Sequence, residues 1–240
     1  MSRSLPRNML NPVFSRSCVS SSRSTGKNVV PETEQLRPPR PLLSARAEAQ
    51  LSDRHRVVLD QLEDLFLSAG FASSTMRDLA AHLRCSLRTL YEIARSKQEL
   101  VLLVLDRFFH RVGRNALAAI DPEAPVAVRI RSYFGSGIEL QRWTVALAED
   151  SVGEAEIQRL ADSHFKYVNA VLERLIAEGV ARGEMKPVDP KVAAAALGAA
   201  GVYLTRPDVT ARIGRLSPDV IDEALDIFLL GLASDGARTS

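Results

Sequence analysis

The chain has little cysteine, few aromatic residues and no long hydrophobic run. Its 240 residues include two cysteines, Cys18 and Cys85, which are too few to hold a domain of this size together and suit a reducing compartment. No segment reaches the roughly 18 consecutive apolar residues of a membrane helix, and residues 1–30 lack the apolar region of a secretory signal. We therefore expect a cytoplasmic protein that does not contact a membrane.

Acidic residues are absent before Glu32, whereas residues 1–50 hold six of the twelve prolines and nine serines. Such a segment cannot bury enough apolar surface to offset the entropy lost when it is ordered. We therefore predict a flexible basic tail over residues 1–50, which carries most of the positive excess behind the net charge of +2. A transit peptide and a translation start assigned too far upstream are the alternatives.

From Leu51 onward the apolar residues recur at helical spacing, and no strand-like alternation appears. The first stripe is formed by Val58, Leu62, Leu65, Phe66 and Ala69. Gly70 ends this helix, Thr75 and Asp78 have the spacing of a capping box that opens the second, and Ser86 opens the third. Two short helices around a tight break at Arg84-Cys85 predict a helix-turn-helix.

The apolar pattern after the helix-turn-helix predicts longer helices. One begins at Lys97, the longest covers residues 154–182, and two more begin at Asp189-Pro190 and Ser217-Pro218. A short helix over residues 139–149 would hold Trp143. In the helix after Pro190 we expect an inward stripe of Val192, Ala195, Ala196, Ala199, Val202 and Tyr203. The ordered part is therefore predicted to be all-α, with about nine helices.

Short motifs in residues 54–112 carry a resemblance to a known family. They are Ala69-Gly70-Phe71, the run from Ser74 to Ala80, Ser86, Thr89-Leu90-Tyr91, and the run from Ser96 to Leu100. In order and spacing this segment resembles the DNA-binding domain of the TetR-like (tetracycline-repressor-like) regulators. The resemblance implies a helix-turn-helix domain over residues 51–97, an effector-binding and dimerisation domain over residues 98–234, and a short tail over residues 235–240.

The resemblance also implies which residues contact double-stranded DNA, because the second helix of a helix-turn-helix enters the major groove. These residues are Thr75, Arg77, Ser86, Leu87, Arg88, Thr89, Tyr91 and Lys97. The arginines are the candidates for base or phosphate contacts, and the hydroxyl groups for phosphate contacts. Lys97 adds a positive charge at the start of a helix, where backbone N–H groups favour phosphate.

Two positions depart from the family pattern. Arg84 stands where the break usually carries glycine, so we expect a left-handed residue at some cost in energy. After Tyr91 come Glu92, Ile93 and Ala94 instead of further aromatic residues, and a carboxylate there would repel phosphate or accept a hydrogen bond from cytosine. We therefore expect an unusual pseudo-palindromic operator or weakened nonspecific binding.

For the rear helices, the resemblance implies a homodimer and a cavity for a small-molecule effector. The large candidates for lining this cavity are Phe109, Tyr133, Phe134, Trp143, Phe165 and Tyr203. Few polar residues accompany them, so we expect a lipophilic or aromatic effector. The apolar last helix, with residues 228–232, is expected to pair with its copy from a second subunit.

Together these features predict a DNA-binding repressor that a small effector releases from its operator. An enzyme is not expected, because no catalytic constellation is visible, and we predict neither a cofactor nor a metal site. His82 and Cys85 have i, i+3 spacing but no third ligand nearby. His110 and His164 could line the effector cavity or simply pack in the core. The alternative function is a helical ligand-binding or interaction protein of the same fold that has weak or no operator binding.

Overall fold

Ten helices account for most of the residues that the computed structural model describes, which are 36–136, 150, 154–204, 206–215 and 217–234. In chain order they are α1 (Ala45–Gln50), α2 (Asp53–Ala69), α3 (Met76–His82), α4 (Leu87–Ile93), α5 (Lys97–Ala118), α6 (Val126–Ser136), α7 (Ala155–Ala181), α8 (Pro190–Leu204), α9 (Pro207–Ile213) and α10 (Ser217–Leu232). The predicted all-α class is confirmed. The predicted helix over residues 139–149, with Trp143, lies outside the described residues, as do residues 1–35 and 235–240.

Serine and threonine side chains begin the helices of the front half. Ser52 accepts a hydrogen bond from the His55 amide at 3.2 Å, and Ser86 accepts one from the Thr89 amide at 3.0 Å. At α3 the predicted capping box is present, because the Thr75 hydroxyl accepts from the Asp78 amide while the Asp78 carboxylate accepts from the Thr75 amide. These contacts satisfy backbone donors that a helix start leaves unpaired.

The turn between α3 and α4 is a Schellman motif with arginine at the left-handed position. The Cys85 amide donates to the Ala80 carbonyl, and the Arg84 amide donates to the Ala81 carbonyl. Arg84 has a φ of 50°, the only positive φ of a non-glycine among the residues described. Arg54 donates a further hydrogen bond to the Arg84 carbonyl at 3.0 Å, which ties this turn to α2.

Two apolar clusters form the core. The front cluster gathers α2, α3, α4 and most of α5, with Phe66, Leu90 and Phe108 fully buried. The rear cluster gathers α6, α7, α8 and α10 around Ile130 and other buried side chains. Because α5 contributes to both clusters and spans about 33 Å at 1.5 Å per residue, it connects the front half of the fold to the rear bundle.

The turn after α7 joins three rear helices. Gly183 has a φ of 73°, which glycine adopts at little cost. The Glu184 carboxylate accepts a hydrogen bond from the Val126 amide at 2.7 Å and so caps α6. The Lys186 amide donates to the Leu232 carbonyl at 2.8 Å, at the end of α10. The predicted stop at Gly183 is therefore confirmed.

The predicted inward stripe of α8 is wrong. Its members lie on the exposed side of the helix, where the Val192 side chain is 67% exposed. The buried side is instead formed by Ala193, Ala194, Leu197 and Gly198. Gly198 faces Asn169 of α7 so closely that a Cβ atom there would overlap the Asn169 amide oxygen. Helix α8 itself carries small apolar residues on every face. Its apolar periodicity alone therefore did not identify the face that packs on α7.

The predicted tail ends too late, since residues 42–50 belong to the folded part. Ser44 caps α1, and the Leu42 amide donates a hydrogen bond to the Asp106 carboxylate at 2.8 Å. Arg56 of α2 donates to the Glu48 carbonyl at 3.1 Å. These contacts offset the conformational entropy that residues 42–50 lose when they are ordered. The composition alone had suggested that this entropy could not be offset. Helix α9, which follows Arg206, was also not predicted.

Candidate nucleic-acid interface

Helix α4 projects most of its side chains into solvent. Only Leu90 of its seven residues is buried, and it packs into the front cluster. Arg88 and Tyr91 are exposed, with the Arg88 side chain 87% accessible. Leu87, which the resemblance assigned to DNA, is half-buried against the front cluster instead. A short helix that packs on the core through one apolar side, here Leu87, Leu90 and Ile93, and directs polar residues outward has the form of a helix that enters a major groove.

Three of the four hydroxyl groups assigned to phosphate contacts, those of Thr75, Ser86 and Thr89, form hydrogen bonds at helix starts. The Thr75 hydroxyl donates to the Asp78 carboxylate at 2.6 Å. This hydrogen bond is the main reason why the pKa of Asp78 lies below its usual value. The Ser86 and Thr89 hydroxyl oxygens lie 2.8 Å apart and share a hydrogen bond. Hydroxyl lone pairs and rotors allow a second contact, so capping and phosphate binding are compatible.

Arg88 forms an ion pair on its own helix. Its Nε donates to the Glu92 carboxylate at 2.9 Å, the i, i+4 spacing of neighbours on a helix surface. The second Glu92 oxygen lies 3.4 Å from Nε2 of His55 on α2. The hydrogen bond from Arg88 is the main cause that lowers the pKa of Glu92, and the same bond raises the pKa of Arg88. The positive charge of Arg88, which was predicted to attract DNA, is therefore partly neutralised by Glu92 on the same helix.

Lys97 does not extend freely from the start of α5. Its ammonium group donates to the Ala72 carbonyl at 2.8 Å and thereby binds the loop after α2. At the same helix start, the Glu99 carboxylate accepts from the Arg95 amide at 2.8 Å. The helix N-terminus that we expected to favour phosphate thus already has a carboxylate beside it.

Arg77 is an exposed residue on α3. Among the described residues no ion pair or hydrogen bond of its side chain is found. Of the basic side chains assigned to DNA, Arg77 is thus the one whose charge stays available to a polyanion, because Arg88 pairs with Glu92 and Lys97 binds a carbonyl.

The side chains proposed for the effector cavity do not come together. Phe109 packs in the front cluster and Tyr133 in the rear one, where burial raises the pKa of the Tyr133 phenol well above its usual value. Phe134 and Phe165 are half-buried, and Trp143 lies outside the described residues. Tyr203 is exposed, with its ring beside the Arg206 guanidinium and its hydroxyl accepting from Arg212.

The two cavities that the described residues form have other linings. One holds about 300 Å³ and lies between α5, α6 and α7, with Leu117, Ile120, Tyr167 and Val171 in its wall. Arg129 stands at its side and donates to Glu178 at 2.6 Å, which is the main cause of the lowered pKa of Glu178. The other holds about 470 Å³ and lies near the turn after α7. Of the five predicted cavity residues that the structure describes, none lines either one.

One group of potential metal ligands lies within the described residues, formed by Asp106, His110 and His164. Burial is the main cause that lowers the pKa of His110, opposed in part by the Asp106 carboxylate. His110 and His164 were noted from the sequence, whereas Asp106 was not. The sequence signal that could have identified Asp106 is an aspartate on the buried face of an apolar helix.

His82 is exposed and Cys85 is half-buried next to the α3–α4 turn.

The rear helices match a known family. Residues 151–224 match the family described as "Tetracyclin repressor-like, C-terminal domain". The chain has the TetR-like fold. The resemblance inferred from the front motifs is thereby confirmed from the opposite end of the chain, because this match covers all of α7, α8 and α9 and half of α10.

Comparisons over more of the chain agree with the TetR-like fold. The uncharacterized HTH-type transcriptional regulator YhgD of Bacillus subtilis (strain 168) is 20% identical over 147 residues, which cover 59% of this chain and 77% of YhgD. A tetR-family regulatory protein from Rhodococcus RHA1 superposes with a TM-score of 0.57 at 18% identity, covering 77% of this chain and 99% of that one. AibR, solved with isovaleryl coenzyme A and operator DNA, has a TM-score of 0.55 at 22% identity and covers 73% and 97%.

In the described residues no helix combines the length and the apolar character needed to cross a membrane.

Proposed function

We propose that this TetR-like chain is a homodimeric transcriptional repressor that binds a pseudo-palindromic operator and leaves it when a small lipophilic or aromatic effector binds the rear helices. The observation that carries the proposal is helix α4, which packs on the front cluster through Leu87, Leu90 and Ile93, exposes Arg88 and Tyr91, and is preceded by a capped α3 and a tight left-handed turn. AibR, which shares the fold, has been solved bound to operator DNA.

Base contacts on this interface would come from the exposed arginines. Arg77 and Arg88 lie on the two helices of the motif, and both are accessible. An arginine that reaches guanine through two hydrogen bonds contributes about 1–3 kcal/mol of discrimination. Tyr91 is also exposed on α4 and supplies a hydroxyl for a phosphate. Replacing either arginine would therefore weaken binding to the operator.

Dimerisation is supported by apolar side chains that this chain leaves at its surface. Val192 and Tyr203 lie on the outer side of α8, and Ile227 of α10 is 67% exposed. Helices α8 and α10 pack against each other, so their outer sides form adjoining surfaces. Contiguous exposed apolar surface on a protein of this size marks a contact with another molecule. A second copy that covers it would place two α4 helices for half-sites about 34–36 Å apart.

The effector would act by favouring a state in which the two α4 helices no longer match the half-site spacing. The cavity between α5, α6 and α7 supports this proposal, because its wall is mostly apolar and α5 continues from it toward the front cluster. Its volume of about 300 Å³ is enough for a small organic molecule.

The operator is found by selecting bound DNA from random sequence with the 240-residue chain. We expect an enriched palindrome. Arg77→Ala and Arg88→Ala should then each lower affinity for it by about tenfold or more at fixed salt, the loss expected for one bidentate base contact. Arg114→Ala is the matched control, because it removes an exposed arginine of α5 about 25 Å along that helix from Lys97. If no palindrome is enriched, operator binding is refuted.

The dimer is measured by light scattering. We expect twice the chain mass for the wild type and the single-chain mass for Ile227→Glu, because a carboxylate would be buried without a partner. Val128→Glu introduces the same charge at another exposed apolar residue, on α6, and should leave the dimer intact. A monomeric wild type at micromolar concentration would contradict the proposed assembly.

A second candidate function is a helical ligand-binding protein of the same fold with weak operator binding. The pairing of Arg88 with Glu92 and the binding of Lys97 to a carbonyl favour it, because both reduce the charge available to DNA. The same selection experiment distinguishes the two functions.

A further inference from the structure

Three metal-binding side chains meet between α5 and α7. Asp106 and His110 lie one turn apart on α5, and His164 approaches them from α7. One Asp106 oxygen, Oδ1, is 3.5 Å from Nε2 of His110 and also 3.5 Å from Nε2 of His164. All three ligand atoms lie within 4.8 Å of one another.

These three atoms are buried and lack hydrogen-bond partners. Asp106 is 1% exposed and His164 is 8% exposed, while the His110 side chain is 10% exposed. The Asp106 Oδ1 and the two histidine Nε2 atoms have no hydrogen-bond partner. A buried polar atom without a partner costs roughly 1–3 kcal/mol. A single ion placed between the three atoms would satisfy all of them at once.

The spacing matches a tetrahedral metal ion. Metal–ligand bonds of about 2.0–2.1 Å to imidazole nitrogen and carboxylate oxygen place neighbouring ligand atoms of a tetrahedron about 3.4 Å apart. The two Oδ1–Nε2 separations of 3.5 Å are close to that value, and the two imidazole nitrogens lie within 4.8 Å of each other.

Neighbouring groups already orient the ligands. The Leu42 amide donates to the other Asp106 oxygen, Oδ2, at 2.8 Å, so that Oδ1 is the oxygen directed at the histidines. The Phe109 ring lies against the His164 ring, with 4.9 Å between their centroids. The two imidazole rings stand nearly perpendicular at 81°, so that neither stacks over the other's nitrogen. Such supporting contacts are typical of metal sites.

We propose that Asp106, His110 and His164 bind one divalent transition-metal ion of the zinc class, with a fourth position open to water or to another small ligand. Two imidazoles and one carboxylate form a ligand set that zinc commonly accepts in sites with an open position. The ion would join α5 to α7 and, through Asp106 and Leu42, to the segment that precedes α1. This proposal is independent of operator binding.

The test uses the 240-residue chain, stripped with a chelator and then titrated with Co²⁺, which reports tetrahedral coordination by its visible absorption. We expect one Co²⁺ per chain with a tetrahedral spectrum, displaced by an equivalent of Zn²⁺. Asp106→Asn and His164→Gln, which alter ligands on different helices, should lose that spectrum. His82→Gln changes an exposed histidine of α3 and should keep it.

A measurement on the wild type keeps the proposal testable even where a variant does not fold. X-ray absorption of the Zn²⁺-loaded chain should show two imidazole nitrogens at about 2.0–2.1 Å. A wild type that takes up no Co²⁺ refutes the site, and so does a zinc environment with sulfur or without imidazole. Folded Asp106→Asn and His164→Gln proteins that bind Co²⁺ as the wild type does would refute it equally, and the three side chains would then form only a buried Asp–His cluster.

Discussion

In the proposed complex with DNA, Glu92 would reduce the attraction between α4 and the phosphates, and replacing it with glutamine should increase that attraction. Glutamine keeps nearly the same size but removes the negative charge that pairs with Arg88. The Arg88 guanidinium, which is already 87% exposed, would then face the phosphates without a competing carboxylate. Because both groups are accessible, screening by solvent makes the stability change small, and the change should appear in DNA binding.

The expected magnitude follows from counterion release. The slope of log affinity against log salt changes by about 0.9 for each phosphate that a cation neutralises. One additional contact in each subunit of a dimer therefore makes the slope steeper by about 1.8. Between 50 and 200 mM salt this corresponds to an additional loss of about twelvefold in affinity. Nonspecific duplex DNA is the correct probe, because base readout does not contribute to it.

Fluorescence anisotropy over a salt series measures the slope. Asp64→Asn is the control, since it removes the same charge from the exposed surface of α2. The double variant Arg88→Ala with Glu92→Gln isolates the pair, because the effect of Glu92→Gln should be smaller when Arg88 is absent and only the direct repulsion between Glu92 and phosphate is removed. An unchanged slope in Glu92→Gln, or an equal increase in the Arg88→Ala background, would refute the reasoning.

Two stability predictions concern single contacts. Thr75→Ala should cost about 1 kcal/mol in urea unfolding, as for other N-caps. Its hydrogen bond holds the pKa of Asp78 below the unfolded value, so the stability from Asp78 is present above that value and is lost as the pH falls through the folded pKa. The variant should therefore lose less stability on acidification, and an unchanged acid profile would contradict this. Gly198→Ala should cost about 1–3 kcal/mol because its Cβ meets Asn169, whereas Gly113→Ala meets nothing and should stabilise the chain by about 0.5–1 kcal/mol. Equal effects of the two alanines would refute the close approach of α8 and α7.

The front of the fold could be predicted because its signals are local. A threonine and an aspartate three residues apart identify the start of α3, and the structure has that capping box. The break at Arg84 was expected to need a left-handed residue, and its φ is positive. Each of these features depends on a few consecutive residues, so one sequence was enough to locate it.

The partners of the site residues could not be predicted in the same way. Lys97 was correctly identified as the first residue of α5, but its hydrogen bond goes to Ala72, 25 residues earlier. Asp106 meets His164 from another helix, and its second oxygen binds the amide of Leu42. Helical periodicity reports which face of a helix is apolar and leaves open which other segment packs there.

The error at α8 supports the proposed dimer. Val192, Ala195 and Ala199 were predicted to pack within the chain, and they have the apolar character and spacing of a buried stripe. The structure instead covers the opposite side of α8 with α7. A helix that is apolar all round is buried on more than one side in a stable protein. One chain covers only one side, so the remaining stripe, together with Ile227 of α10, is where a second copy would pack. The light-scattering result for Ile227→Glu therefore tests both the assembly and this explanation of the sequence pattern.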